Sequence, residues 1–225
     1  MNTLRKSLTL VALAVAAGSA SQAHAEIFLT ATDGVTTASV NDLATPGIAS
    51  YSGEIGNFTA SIDVGTGYPA VGQLTQPTLD LTSLDLTTGT AGGTLTVSLS
   101  ETGFTSTDEI RQFLSDITGV YTNSHATMST YFDASDTAFG TASLLSTGLL
   151  DNQSATVAVP PIPSPYSLTE IVTVSAGANS LSSIDAGIID TPEPGSLALL
   201  GSALLALVGI GWRRSKIGRR RPAVA

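Results

Sequence analysis

Two aspartates in the segment Asp133-Ala134-Ser135-Asp136 have the spacing that best suits metal chemistry in this chain. Calcium takes several oxygen ligands, and one loop could present both carboxylates to the same ion. Asp80 and Asp85 are further candidates, but residues five apart on a strand face opposite sides unless a bulge intervenes. The sequence contains no Asp-x-Asp-x-Asp-Gly loop, so solvated charges that keep the protein soluble are the favoured interpretation. Calcium is the only cofactor that the residues suggest, and none is required.

The neighbours Ser124 and His125 raise the alternative of a hydrolase. A catalytic triad needs a carboxylate brought to the histidine and an elbow or oxyanion signature, and residues 26–191 contain no Gly-x-Ser-x-Gly motif. Pairs of acidic residues could hydrolyse a glycoside, but this segment has no tryptophan to line a sugar cleft. An exposed histidine on a loop or strand end is the simpler interpretation, and we expect no enzymatic activity.

The charges of the chain are distributed unevenly. Seventeen of the eighteen acidic residues lie between residues 26 and 191, where Arg111 is the only basic residue, so this segment carries a formal charge of −16. Such a charge repels nucleic acid and anionic lipid and favours solubility. We expect Arg111 to pair with Asp108 on a helix. The chain has no cysteine, so the apolar core must provide the stability of the fold.

The distal part of the chain predicts a membrane span. Residues 195–212 contain no charge, and eighteen residues form a helix of about 27 Å, close to the hydrocarbon thickness of about 30 Å. Trp212 suits the interface, and the basic residues that follow favour a cytoplasmic C-terminus. These residues are Arg213, Arg214, Lys216, Arg219, Arg220 and Arg221. The segment therefore predicts a single-pass helix with its C-terminus inside the cell.

The order of Pro192-Glu193-Pro194, an apolar helix and an arginine-rich end resembles the PEP-CTERM sorting signal of Gram-negative bacteria. Thr191 stands where the family usually has valine. The resemblance implies recognition by an exosortase-type membrane protease, cleavage near the motif, transient residence in the inner membrane, and transfer of the body to the cell surface or the extracellular matrix. It also implies an association with exopolysaccharide. The signal covers residues 191–225, with the span at 195–212 and the basic tail at 213–221.

The first residues predict a secretory signal peptide. Arg5 and Lys6 precede an apolar run from Leu8 to Ala17, and Ala23 and Ala25 are the small residues that a signal peptidase reads. Cleavage is expected before Glu26, so residues 1–25 form the signal. The Sec translocon and signal peptidase are therefore expected partners. The mature body is then residues 26–190, long enough for one domain with a proper core.

Alternating apolar and polar residues predict an all-β body. Strands are expected from Ile27 to Ala31, Phe58 to Val64, Leu95 to Leu99, Ala126 to Phe132, Ala155 to Val159 and Tyr166 to Val174. Leu79 and Leu81 have the opposite parity to Leu84 and Leu86, so a bulge is expected near Thr82-Ser83. Glu170 shares the parity of Leu168 and Val172, which indicates an edge strand or a partner.

One helix is expected within the body, from Thr107 to Thr118, because Ser106 and Glu109 fit a capping box and Ile110, Phe113, Leu114 and Ile117 form an apolar stripe. The predicted fold is an antiparallel β-sandwich with one short helix, flanked by a signal helix and a transmembrane helix. The predicted role is a structural or interaction protein of the surface or biofilm matrix. The alternatives are a calcium- or polysaccharide-binding module and a secreted hydrolase.

Overall fold

A computed structural model describes residues 25–106, 111–191 and 205, without the side chains of residues 63 and 64. Ten strands account for most of these residues. Their bounds are β1 Glu26–Thr32, β2 Thr37–Asn41, β3 Ile48–Ile55, β4 Phe58–Thr66, β5 Thr78–Thr88, β6 Gly93–Phe104, β7 Arg111–Asp133, β8 Ser143–Leu150, β9 Gln153–Val159 and β10 Tyr166–Thr191. All the pairings between these strands are antiparallel, so the predicted all-β, antiparallel class is confirmed.

The strands form one sheet in the order β2-β1-β6-β10-β5-β4-β3, with β7 paired to β10, β8 and β9. The two long strands β7 and β10 pair with each other over most of their lengths. The first half of β10 also pairs with β6, and its second half pairs with β5. Each half of the β7–β10 pair therefore belongs to a different half of the sheet.

The sheet changes direction where the β7–β10 register shifts, between Ala176 and Leu181. Asn123 and Asn179 adopt left-handed backbone angles there, with φ of 52° and 53°. Asparagine tolerates this conformation better than most residues. The Asn123 side-chain amide donates to the Ala178 carbonyl at 2.9 Å, and the Asn179 N–H donates to the Gly89 carbonyl at 2.6 Å. This corner lets one continuous sheet fold back on itself.

The two halves of the sheet face each other across one apolar core. A Cβ atom added at Gly65 on β4 would overlap the Leu99 side chain on β6, which shows how closely these strands approach. Fully buried side chains from both halves fill the space between them. They include Ile27, Leu29, Phe58, Ile62, Leu79, Leu84, Leu95, Val97, Leu99, Val172, Val174, Ile184 and Ile188.

The expected bulge in β5 is present. The β5–β10 register shifts between Ile184 and Ala186, and Ser83 has a φ of 55°. The extra residue returns the following leucines to the core, so all four alternating leucines of this strand are at most 2% exposed: Leu79, Leu81, Leu84 and Leu86. The bulge also places Asp80 and Asp85 on the same outer face, which a straight strand would not do.

The predicted helix from Thr107 to Thr118 is wrong from Arg111 onward, because these residues begin β7. Phe113, Ser115 and Ile117 are all buried, which is the period of a strand rather than of a helix. Phe113 and Ile117 lie four residues apart, and this even spacing suits a helix face and a strand face equally. Pairing with β9 on one side and β10 on the other satisfies the backbone hydrogen-bonding groups of this segment and overrides the local helical signal.

Two further expectations about β10 are corrected. It continues beyond the predicted end at Val174 to Thr191, and it is a central strand, so Glu170 does not lie at an edge. The predicted signal helix up to residue 24 and the predicted span at 195–212, apart from Leu205, lie outside the described residues. Where the structure does describe the chain, it contains no helix with the length and hydropathy needed to cross a membrane.

Candidate functional site

Of the two predicted calcium ligands, Asp133 ends β7 and Asp136 lies in the turn that follows, and both carboxylates accept hydrogen bonds. Asp133 Oδ1 accepts from the Ser135 N–H at 2.8 Å and from the Ser135 hydroxyl at 2.7 Å. Asp136 Oδ1 accepts from the Gly103 N–H at 2.7 Å. Among the described residues, no group of three or more metal-ligating side chains is placed to hold an ion. The contacts give these aspartates a role in fixing the turn, and calcium binding stays a prediction.

Ser124 and His125 lie beside the corner of the sheet. The Ser124 hydroxyl is 2.7 Å from the Ser182 hydroxyl and also donates to the Leu181 carbonyl at 3.3 Å. His125 is exposed. The serine is therefore engaged with strand β10, and these contacts do not provide the Ser–His hydrogen bond that a nucleophile requires.

The end of β10 leads directly into the sorting motif. Asp190 forms an ion pair with Arg111, and both side chains are less than 10% exposed. The Thr191 hydroxyl donates to the Gln112 carbonyl at 3.0 Å, and the Asp190 N–H donates to the Pro77 carbonyl at 3.0 Å. The strand is thus held up to the last residue before Pro192.

The partner of Arg111 in this ion pair lies across the sheet, and the expected pairing with Asp108 stays a prediction. Asp108, the predicted partner, falls outside the described residues, as do the motif Pro192-Glu193-Pro194 and the basic residues from Arg213 to Arg221. At the other predicted processing site, Ala25 is buried and β1 begins at Glu26, the first residue of the predicted mature body. Ala23 is not described.

A groove of about 440 Å³ lies on the outer face of β1 and β2, beside the turn at residues 134–142. We name it the neutral groove, because the described residues that line it are all uncharged: Phe28, Leu29, Thr30, Ser39, Val40, Asn41 and Phe139. The rings of Phe28 and Phe139 meet edge to face, with centroids 6.2 Å apart and planes at 61°. The two rings are half-buried. The groove thus combines an aromatic surface with hydroxyl and amide groups.

The backbone of Phe139 holds an uncommon conformation, with a φ of 57°. A bulky side chain rarely adopts the left-handed region, because its Cβ crowds the backbone there. The Phe139 N–H donates to the Ser100 hydroxyl at 2.9 Å, and the Ser167 hydroxyl donates to the Thr137 carbonyl at 2.8 Å. These bonds pin the turn onto β6 and β10 and hold the Phe139 ring in the groove.

Three aspartates gather on the outer face of β5, β7 and β10, around Gly187. Asp80 and Asp116 lie opposite Gly187 on its two neighbouring strands, and Asp185 lies two residues before it. Burial raises the pKa of Asp80, and repulsion from Asp185 adds to this effect. Burial also raises the pKa of Asp116, with additional repulsion from Asp80 and Asp185. The Ser83 N–H donates to Asp185 Oδ1 at 2.8 Å. This acidic face gives a cation no preformed set of ligands among the described residues.

Two glutamates point into the core. Glu101 accepts from the Tyr68 N–H at 2.9 Å, and burial raises its pKa to about 9. Glu170 is fully buried, neither of its carboxyl oxygens has a hydrogen-bond partner, and burial, with smaller repulsion from Asp80 and Asp116, raises its pKa well above the ordinary value. Burial therefore favours the protonated form of both groups, since an ionised carboxylate is unfavourable in an apolar environment.

Sequence reasoning did not identify the neutral groove. The parity of β1 was a usable signal for half of it: Ile27, Leu29 and Ala31 point inward, so Phe28 must place its ring on the outer face. Phe139 carried no such signal, because it lies in a turn, and only the hydrogen bonds to distant strands bring it to Phe28.

Comparison with known proteins identifies one segment of the chain. A family model described as the PEP-CTERM protein-sorting motif matches residues 190–215. This segment therefore carries a PEP-CTERM protein-sorting motif, and such a motif implies processing by an exosortase and export to the cell surface. No curated protein matches the chain.

Solved structures with partial similarity include TmCBM61 in complex with beta-1,4-galactotriose, at 9% identity and a TM-score of 0.31, over 62% of this chain and 92% of that one. The enzymatically active domain of bacteriophage CBA120 tailspike protein 4 has 14% identity and a TM-score of 0.30, over 62% of this chain and 20% of that one. Infectious bursal disease virus, Gx strain, has 11% identity and a TM-score of 0.29, over 76% and 51%. Similarities at these TM-scores do not identify a shared fold.

Proposed function

We propose that the protein is a non-enzymatic component of the cell surface or extracellular matrix, with a structural or interaction role associated with exopolysaccharide or biofilm. The observation that carries the proposal is the sorting motif matched at residues 190–215, which begins where β10 ends. The body is folded up to Thr191, so cleavage near Pro192 would leave all ten strands intact. The signal peptide at residues 1–25 would bring the chain to the Sec translocon.

The proposed route places the chain in the inner membrane for a time, held by the helix at 195–212 with its C-terminus in the cytoplasm. An exosortase-type protease would then release the body. The acidic body is suited to the destination, because its formal charge of −16 favours solubility and disfavours contact with nucleic acid or anionic lipid. The hydrogen bond from Ser124 to β10 is the observation that favours a non-enzymatic role.

Fractionation of the producing cells tests this route. Immunoblots and mass spectrometry of the cytoplasm, membranes and extracellular material should find a body that begins at Glu26 and ends near the Pro192-Glu193-Pro194 motif, outside the cell. Replacing all three residues of the motif by alanine should leave the chain in the membrane fraction. Full-length chain in the cytoplasm, with Met1 and Arg221 both present, would refute the proposal. A control replacement of the three residues 223–225 by serines should not change the distribution.

A further inference from the structure

We propose that the neutral groove binds a neutral polysaccharide, with sugar rings packed on Phe28 and Phe139 and hydroxyls hydrogen-bonded to Thr30, Ser39 and Asn41. The inference rests on the proposed function in one respect: export to the cell surface would bring the body into contact with a polysaccharide matrix. The binding itself follows from the composition, charge and rigidity of the groove.

The aromatic surface is the first argument. Phe28 is the outward residue of β1 between two inward ones, and its ring makes an edge-to-face contact with Phe139 instead of entering the core. Both rings keep part of their surface exposed. A sugar ring presents an apolar face of C–H groups and a rim of hydroxyls. It therefore matches a groove in which two aromatic rings lie beside Ser39 and Asn41.

The charge of the groove selects among polysaccharides. The seven lining residues are all uncharged, whereas the body around them carries a formal charge of −16. A polysaccharide with carboxylate or sulfate groups would be repelled by the body and would find no cation in the groove. A neutral chain meets neither obstacle, and its hydroxyls need only the donors and acceptors that the groove offers.

The rigidity of the groove is the third argument. Phe139 is held at a positive φ by hydrogen bonds from the turn to Ser100 and to Ser167, and Asp136 fixes the same turn to Gly103. A strained conformation that the surroundings impose is characteristic of positions where a side chain must be held in place. Because the ring is already in place, a ligand does not lose affinity in ordering it.

Calorimetry and affinity electrophoresis of the full chain, purified in detergent, test the inference. The probes are the neutral and the acidic fractions of the extracellular polysaccharide of the producing cells, separated by anion exchange. We expect the neutral fraction to bind and the acidic fraction not to bind. Phe28→Ala and Phe139→Ala should each weaken binding by about tenfold or more, the loss typical of a central aromatic contact. The matched control Leu144→Ala removes an exposed apolar side chain of β8, outside the groove, and should bind normally.

Because Phe139→Ala can disturb the turn at residues 134–142, Asn41→Ala provides a second variant. It removes the proposed hydrogen bonds from Asn41 to the sugar hydroxyls, leaves that turn unchanged and should also weaken binding. Circular dichroism and the melting temperature identify variants that fail to fold. Failure of the folded wild type to bind the neutral fraction, or full binding by Phe28→Ala, would overturn the inference. So would a wild-type dimer in sedimentation that Phe28→Ala dissociates, because a second copy would then occupy the groove. Surface localisation without binding refutes only this inference, whereas binding by a protein that stays in the cytoplasm refutes only the proposed function.

Discussion

Arg111, the only cation of residues 26–191, forms a buried ion pair with Asp190, the second-to-last residue of β10. The pair joins the start of β7 to the end of β10, just before Pro192-Glu193-Pro194 in the sequence. Burial raises the pKa of Asp190, and the Arg111 guanidinium opposes this effect. The ion pair therefore holds the end of β10 against β7 at the point where the exported part of the chain is expected to end.

Breaking this pair should destabilise the body. Asp190→Asn removes the carboxylate that pairs with the Arg111 guanidinium across the sheet, and removing one partner of a buried pair costs about 3–5 kcal/mol. Urea unfolding at pH 7 measures the loss of unfolding free energy. Glu54→Gln, at an exposed carboxylate of β3, should change it by less than about 0.5 kcal/mol. The double variant Arg111→Met/Asp190→Leu should recover much of the loss. An unfolding curve for Asp190→Asn that coincides with that of the wild type would contradict a stabilising role for the buried pair.

The buried glutamates should make the body more stable in acid. Glu101 has a folded pKa of about 9 against an ordinary value of 4.5, so both states are protonated below about pH 4.5. As the pH rises from there towards 9, only the unfolded state ionises, and stability falls by about 1.4 kcal/mol per pH unit for one such group. Glu170, raised well above its ordinary value, acts in the same direction. Unfolding free energies at pH 5, 6, 7 and 8 should therefore decrease steadily.

Two substitutions separate these contributions. Glu101→Gln keeps an acceptor for the Tyr68 N–H, and Glu170→Met suits a site where neither carboxyl oxygen has a partner. Each variant should gain stability at pH 8 relative to the wild type and should show a shallower decrease with pH. Glu54→Gln should keep the wild-type slope. Parallel pH profiles for the wild type and both core variants would show that these carboxyls do not titrate on unfolding.

The bulge at Ser83 should be indispensable for folding, whereas the Ser83 side chain should not be. Ser83→Gly removes the strain of a positive φ and keeps the N–H that donates to Asp185, so we expect a gain of up to about 1 kcal/mol. Deletion of Ser83 should prevent folding, because Leu84 and Leu86 would then point outward. Thermal melts of both variants measure the difference. A deletion variant that melts like the wild type would show that the register of β5 is not determined in this way.

The contact between the two halves of the sheet should be visible in a double-mutant cycle. Gly65→Val adds a side chain where a Cβ already overlaps Leu99, so this variant should lose about 2 kcal/mol or more. Leu99→Ala alone should lose about 2–5 kcal/mol by leaving a cavity. If the residues touch across the core, the double variant should lose less than the sum of the single losses, by about 0.5–3 kcal/mol. Strictly additive losses would place β4 and β6 apart.

Most of the strands and the bulge could be predicted from the sequence, because their evidence is local. The alternation around Leu95 and Val172 defines buried faces, and the change of parity between Leu81 and Leu84 requires an extra residue whatever the neighbours are. The sorting motif is likewise a linear pattern that needs no tertiary structure. The segment around Phe113 and Ile117 was predicted wrongly, because a spacing of four residues is compatible with both a helix and a strand.

What the sequence by itself determined is therefore the class of the fold, the position of most of the strands and the sorting motif, all of which depend on neighbouring residues. The tertiary structure alone decided the relationships between distant residues: the pairing of Arg111 with Asp190, the complete burial of Glu170, and the meeting of Phe28 with Phe139. These relationships depend on the registers of β7 and β10 and on the corner near Asn179. Such registers are set by the packing of the whole core, and a local pattern does not specify which strands will lie side by side.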